Sequence, residues 1–304
     1  MSSKPLIRYR SSVEAGGYFP PISVATYYPA ELDTITDPTI QIPVRGWSVD
    51  FEILQRLARG IALQNHSPVS VYDSPRLPTG RNANEFNSGV LARVVDHVQA
   101  FRREKAPIDL RSYSAGSIPA AQVARNYPHA IRSMGLAAPA GLSERMTGKE
   151  LIGRALRDVS RGPSLDEEES VIHNTMEQSR QPWGVLKFGK SAFGAGKYVI
   201  GNALTVYPEL CATAEADILE PLIEAYDSGV ATAIITLRGD GVYPQTEILS
   251  RIESARGDRR IVTDAMDGKH AGVLGNLEVA QHVSEIMRAA REPVVGVVPV
   301  AALV

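Results

Sequence analysis

I-D-L-R-S-Y-S-A-G, at residues 108–116, is the segment from which the fold of this chain is predicted. Residues 108–113 alternate apolar and polar side chains, as a β-strand does, and residues 118–127 have the alanine-rich composition of a tightly packed helix. Pro128 predicts the end of that helix. Ser114 lies between them, at the apex of a turn of small residues. The segment therefore predicts a strand, a sharp turn and a helix.

The turn matches the pattern G-x-S-x-G of a nucleophilic serine, with Ser112 in place of the first glycine. In such a turn the residues two before and two after the serine must be small, so that strand and helix approach closely. Ser112 and Gly116 are both small. The pattern predicts Ser114 as a nucleophile, and the pentapeptide alone leaves open a serine in an ordinary strand-helix loop.

The chain before this segment alternates between predicted strands and helices. Its first two strands are separated by G-G and P-P, which is typical of an antiparallel start to a mixed sheet. The alternation that follows predicts an α/β fold with a mostly parallel, doubly wound sheet and a site at the carboxyl ends of its strands. The predicted strands are residues 6–10, 22–28, 39–44 and 69–72, and the predicted helices are residues 51–62, with Asp50 as N-cap, and 87–103.

The composition of the sequence changes after the next predicted strand, residues 131–137. Residues 143–226 form charged, helix-forming pieces broken by Gly and Pro, with aromatic residues such as Trp183 and Phe188 among them. This composition predicts an inserted helical cap. The strand pattern resumes at residues 231–237 and 260–263, before a predicted helix at 274–290. The predicted organisation is a core in two parts, residues 1–142 and 227–304, with a cap at residues 143–226.

Two polar residues follow the last predicted strands. Asp240 lies in R-G-D-G directly after residues 231–237, although an aspartate in a glycine turn is common on its own. His270 lies in G-K-H-A-G, and of the six histidines it alone occupies a glycine-flanked loop between a strand and the final helix. Both loops are predicted to lie at the same edge of the sheet as Ser114.

Composition excludes several classes of protein. The 32 basic and 34 acidic side chains give a net charge of −2, which provides no electrostatic case for nucleic acid or an anionic membrane surface. No apolar run reaches the roughly 20 residues of a spanning helix, and residues 1–10 lack the apolar core of a secretory signal, so we expect neither feature. A single cysteine, Cys211, favours a reducing compartment. We expect a cytoplasmic protein with no metal or cofactor, and the sequence leaves its oligomeric state open.

The order Ser114, Asp240, His270, each after a predicted strand, is the chain order of the α/β-hydrolase triad. On these motifs and the R-G-W-S loop at residues 45–48, the chain resembles the α/β-hydrolase superfamily over residues 39–290. The resemblance implies that Ser114 is the nucleophile, His270 the general base, and Asp240 the acid that orients the imidazole.

The same resemblance implies an oxyanion hole formed by the backbone N–H groups of Ala115 and Trp47. Arg45 stands where the family commonly has a histidine before the glycine of that loop. Asp264 and Asp267 are rival acids close to His270 in sequence, but they would need a special bend to reach its ring.

The function that the resemblance implies is a serine hydrolase acting on a small-molecule acyl substrate: a carboxylic ester, a lactone or a thioester. Hydrolysis of a carbon–carbon bond is also open. Two alternatives remain at this point, a non-catalytic ligand- or partner-binding protein on the same fold and a serine acyltransferase.

Overall fold

The computed structural model describes residues 6–13, 21–29, 40–44, 51–73, 82–101, 107–160, 203–270 and 277–292. Asp50 and the loop at residues 45–48 lie outside these ranges, as do Trp183 and Phe188. The strands are β1 (Leu6–Val13), β2 (Ile22–Pro29), β3 (Ile40–Val44), β4 (Val69–Asp73), β5 (Ile108–Tyr113), β6 (Ile131–Ala137), β7 (Ala231–Leu237) and β8 (Val262–Met266). The helices are α1 (Phe51–Asn65), α2 (Ala83–Phe101), α3 (Ser117–Asn126), α4 (Gly148–Ser160), α5 (Ala203–Ala214), α6 (Leu219–Asp227), α7 (Gln245–Arg256) and α8 (Leu277–Arg291).

The described strands form one eight-stranded sheet with the order β1-β2-β4-β3-β5-β6-β7-β8. β1 pairs antiparallel with β2, and β2 pairs antiparallel with β4. Every other neighbouring pair is parallel. The predicted α/β fold with a mostly parallel sheet is therefore confirmed. The loops that follow β5, β7 and β8 all leave the same edge of the sheet.

Apolar side chains from helices cover both faces of the sheet. On one face, Ile61 of α1 packs near Val71, while Met287 of α8 packs near Ile235. On the other face, α2, α3, α6 and α7 share a single buried cluster with the strands. Its members include Leu91, Ile118, Leu222 and Ile248 of these helices and Ile108 and Leu110 of β5. The sheet is thus held between two helical layers.

The polar side chains of β5 are also buried, because they face α8. Asp109 accepts hydrogen bonds from Arg132, at 3.1 and 2.8 Å, and from Arg291 of α8, at 2.7 Å. Arg111 donates to the carbonyl of Ala280, also in α8, at 2.8 Å. The strand that leads to Ser114 is thereby fastened to the final helix, and two guanidinium groups balance the charge of the buried Asp109 carboxylate.

Gly135 in β6 allows α8 to approach the sheet closely. A Cβ at this position would lie 2.5 Å from Met287 Sδ and 2.7 Å from Val283 Cγ1. Both neighbours are buried side chains of α8, so a larger residue at this position would push the helix outward.

The predicted cap, residues 143–226, contains α4, α5 and α6. α6 packs against α3 and β7, which places it in the helical layer on the sheet, and the end of the cap at residue 226 stays a prediction. α5 packs against α4 and α2. Residues 161–202 lie outside the described part of the chain, and a cap built around them stays a prediction.

Two element boundaries differ in a way that matters for the site. β8 spans Val262–Met266, whereas the sequence predicted residues 260–263, so Asp264 lies within the strand and not in the following loop. The shift has a physical reason: β8 is a half-exposed edge strand, in which polar residues such as Thr263 and Asp264 fit as well as apolar ones. α7 was not predicted.

Candidate active site

Ser114 lies at the predicted sharp turn. Tyr113 ends β5 in an extended conformation, with φ −136° and ψ 137°, and Ser114 then has φ 52°. Residues 114–116 form one turn of 3-10 helix, and α3 begins at Ser117. A left-handed conformation at a non-glycine residue costs about 1–2 kcal/mol, and such strain is concentrated at functional sites. The backbone carbonyl of Ser114 is held by the N–H of Ala140, at 3.2 Å.

Ser112 fits the position where the pattern has glycine. Its hydroxyl lies 3.2 Å from the hydroxyl of Ser117, and both residues are buried. This contact joins the end of β5 to the start of α3 across the turn. A small polar residue is thus accommodated at this position, and the side chain bridges the elbow.

The loops that carry Asp240 and His270 run alongside each other. The N–H of Arg238 donates to the carbonyl of Met266 at 2.9 Å, and that of Gly239 donates to the carbonyl of Gly268 at 3.0 Å. A Cβ on Gly239 would lie 2.7 Å from the Gly268 oxygen, so glycine permits this close approach. The pairing sets the two side chains facing each other.

A continuous chain of hydrogen bonds joins the three predicted residues. His270 Nε2 lies 2.9 Å from Ser114 Oγ, and His270 Nδ1 lies 2.8 Å from Asp240 Oδ2. The Asp240 side chain is fully buried. Its other oxygen, Oδ1, accepts the backbone N–H groups of Val242 and Tyr243, at 2.7 and 2.8 Å. The sequence predicted that these three residues lie at one edge of the sheet, and in the structure their side chains are within hydrogen-bond distance of one another.

The hydrogen-bond partners of Asp240 determine which atoms donate and which accept along the Ser114–His270–Asp240 network. Its Oδ1 already accepts the N–H groups of Val242 and Tyr243, and its Oδ2 faces His270 Nδ1. A carboxylate only accepts, so His270 Nδ1 carries the proton, and the Nε2 of the neutral ring is left to accept from the hydroxyl of Ser114. In this arrangement the imidazole can take the serine proton, while the carboxylate stabilises the resulting cation.

Two tyrosines, the half-buried Tyr113 and the buried Tyr243, flank His270, and no sequence motif indicated them. The Tyr113 hydroxyl donates to the backbone carbonyl of His270, and its ring centroid lies 5.2 Å from the imidazole. The Tyr243 ring meets the imidazole edge-on at 5.1 Å. Burial, and then the charge of Asp240, raises the pKa of both phenols, so both stay protonated and can donate. Tyr113 was visible inside the pentapeptide, but nothing in the pattern assigned it a contact.

The rival acids have other partners. Asp264 accepts from His282 of α8, at 2.8 Å, and Asp267 pairs with Arg238 on the surface, also at 2.8 Å. Ala115, one predicted oxyanion donor, directly follows Ser114 in the 3-10 turn. Trp47, the other, lies outside the described residues.

The described ranges contain no cluster of three or more His, Cys, Asp or Glu side chains able to hold a metal ion. None of the helices in the same ranges combines the length and the apolar character needed to cross a bilayer.

Solved structures share this architecture. The enol-lactonase from Burkholderia xenovorans is 14% identical, with a TM-score of 0.58 and coverage of 93% of this chain and 99% of that one. Carboxyl esterase 2 from Tuber melanosporum is 13% identical, with a TM-score of 0.58 and coverage of 95% and 88%. This chain has the α/β-hydrolase fold.

A bromoperoxidase from Bacillus anthracis matches the same α/β-hydrolase fold at 10% identity, with a TM-score of 0.59 and coverage of 91% of this chain and 100% of that one. At the level of sequence, no family model and no curated protein matches the chain. Identities this low establish a shared fold, on which several chemistries occur.

Proposed function

We propose that this chain is a serine hydrolase that cleaves a carboxylic ester, lactone or thioester, with Ser114 as nucleophile, His270 as general base and Asp240 as orienting acid. The observation that carries the proposal is the unbroken contact from Ser114 Oγ through both ring nitrogens of His270 to Asp240 Oδ2, at 2.9 and 2.8 Å. Each contact is within the range for direct proton transfer.

In the acylation step, Ser114 Oγ attacks the carbonyl carbon of the substrate while His270 Nε2 takes the hydroxyl proton. The tetrahedral intermediate collapses when the imidazolium returns this proton to the leaving alcohol or thiol, and an acyl group remains on Ser114. Asp240 keeps the imidazole in the correct tautomer and stabilises its cation. Water, deprotonated by the same nitrogen, then releases the carboxylic acid and restores the serine.

The oxyanion of both intermediates needs donors beside Ser114. We assign this role to the backbone N–H groups of Ala115 and Trp47; Ala115 is favoured by its place in the first turn that leads into α3. The positive φ of Ser114 supports the assignment, because this strained backbone lifts the side chain out of the strand direction.

The choice of acyl substrates is supported by the neighbours on this fold, which include an enol-lactonase, an esterase and a thioesterase domain. A cap built on residues following 143 would shape the acyl pocket and exclude water. We propose that this cap ends before α6.

The proposal is tested by the hydrolysis of short p-nitrophenyl esters, a lactone and an acyl thioester by the wild-type chain and the Ser114→Ala variant. We expect turnover of at least one of these classes, and a loss of about 10⁴-fold or more in the variant, since the attacking atom is removed. Circular dichroism checks that the variant is folded. No turnover of any class by the wild type, or a variant within about tenfold of it, contradicts the proposal.

A further inference from the structure

The loop that carries Asp240 is held from outside the core by α4. Asp158 Oδ1 accepts the backbone N–H of Gly241 at 3.0 Å, and Asp158 is buried, with 3% of its surface exposed. One turn earlier on the same helix, Arg154 Nη1 lies 3.4 Å from the carbonyl oxygen of Val242. Two peptide groups of the acid loop, 240–241 and 242–243, are thus bound by side chains four residues apart on one face of α4.

The fit between the helix and the loop is close. A Cβ on Gly241 would lie 3.1 Å from Asp158 Oδ1, so this position has little room for any side chain other than hydrogen. Arg154 also pairs with Glu247 in the first turn of α7, at 3.2 Å, which fixes the guanidinium against the far end of the same loop. We call these contacts the clamp: Asp158 binds the loop at Gly241, and Arg154 binds it at Val242 and at Glu247.

One clamped peptide group also holds the acid, because the Val242 carbonyl that Arg154 binds belongs to the same peptide as the N–H of Tyr243. Val242 and Tyr243 donate their backbone N–H groups to Asp240 Oδ1, while Asp240 Oδ2 contacts His270 Nδ1. A displacement of the loop at Gly241 would move the carboxylate relative to the imidazole. Misplacement of catalytic groups by about 1 Å costs on the order of 100-fold in rate.

We propose that α4 keeps Asp240 in register with His270 by clamping the acid loop, and that Asp158 is a positioning residue for the reaction. The role rests on the proposed hydrolase function, but the clamp itself is a property of the fold.

Amide hydrogen exchange at residues 241–243 tests the clamp without reference to activity. In Asp158→Ala we expect exchange to quicken by about tenfold or more at all three amides, although Val242 and Tyr243 donate to Asp240 and not to Asp158. Asp158→Asn keeps an acceptor oxygen and should restore slow exchange. Quickening at Gly241 alone means a local hydrogen bond and overturns the proposal.

Turnover supplies the second readout. Asp158→Ala should lower kcat by about 10- to 100-fold with little change in KM, because the substrate contacts remain while the acid is misaligned. Asp158→Asn should recover most of kcat. A wild type without turnover would refute the hydrolase proposal, whereas a normal kcat in Asp158→Ala beside an active wild type would refute positioning.

Asp217→Ala is a matched control. Asp217 also accepts a backbone N–H, from Leu219 at 3.1 Å, and also pairs with an arginine, but it lies at the start of α6. Equal quickening at residues 241–243 in this variant would indicate general loosening and would overturn the proposal. If Asp158→Ala does not fold, Gly241→Ala separates the same pair from the loop side and is subject to the same criteria.

Discussion

Replacement of Asp240 by asparagine separates the chemistry of the site from its stability. In Asp240→Asn the Oδ1 position can still accept the N–H groups of Val242 and Tyr243, which lie at 2.7 and 2.8 Å. The amide nitrogen then faces His270 Nδ1 as a donor. The imidazole is forced to carry its proton on Nε2, where it can no longer accept from Ser114.

The expected loss is about 10⁴-fold in kcat, as for an imidazole held in the wrong tautomer, which corresponds to about 5.5 kcal/mol of transition-state stabilisation. The free energy of unfolding should change by less than about 1 kcal/mol, because all the hydrogen bonds of the side chain are retained. Asp240→Ala is the contrast, because it leaves the buried N–H groups of Val242 and Tyr243 without an acceptor, at a cost of about 1–3 kcal/mol each.

The assay is p-nitrophenyl ester hydrolysis, paired with urea unfolding of each variant. Asp264→Asn and Asp267→Asn are the controls, since their carboxylates contact His282 and Arg238 and not His270. Turnover above about a tenth of wild type in Asp240→Asn would refute the reasoning, as would equal damage in either control.

Further variants test the packing, the elbow and the half-buried His97. Gly135→Ala should lower the free energy of unfolding by about 1–3 kcal/mol, because its Cβ would collide with Val283 and Met287. Gly89→Ala, whose Cβ would meet nothing within 4 Å, should raise the free energy of unfolding by about 0.5–1 kcal/mol. Thermal unfolding measures both changes. Ser114→Gly should be more stable than Ser114→Ala by about 1 kcal/mol, because φ is 52° there; equal stability would contradict the strain. Burial lowers the pKa of His97 below its ordinary 6.5, so its contribution to stability is complete above that pH and is lost as pH falls through the folded-state pKa. Urea midpoints between pH 7.5 and 5 should therefore fall more steeply in the wild type than in His97→Gln.

Much of the fold could be predicted because its signals are local. The alternation of strands and helices, and the positions of Ser114, Asp240 and His270 just after strands, follow from periodicity and turn residues. The edge strand β8 was placed too early, since a half-exposed strand containing Asp264 lacks a continuous apolar run. The polar side chains of β5 gave no sign that they would be buried against α8.

The surroundings of the site could not be predicted for a different reason. Asp158 and Gly241 are 83 residues apart. From the sequence alone, a buried aspartate in a helix cannot be distinguished from a solvent-exposed one until its partner is known. Tyr113 and Tyr243 read as strand and turn residues, and only the meeting of the two loops brings them onto His270. Such contacts depend on tertiary packing, and no local sequence pattern indicates them.

Labelling with a fluorophosphonate, followed by mass-spectrometric mapping of the modified residue, shows whether Ser114 is an activated nucleophile. The reagent reacts with a serine whose proton is withdrawn by a neighbouring base. We predict one adduct, on Ser114, that disappears in Ser114→Ala and forms far more slowly in Asp240→Asn. A folded wild-type chain that stays unlabelled at Ser114, or that carries its adduct on another serine, would contradict the account.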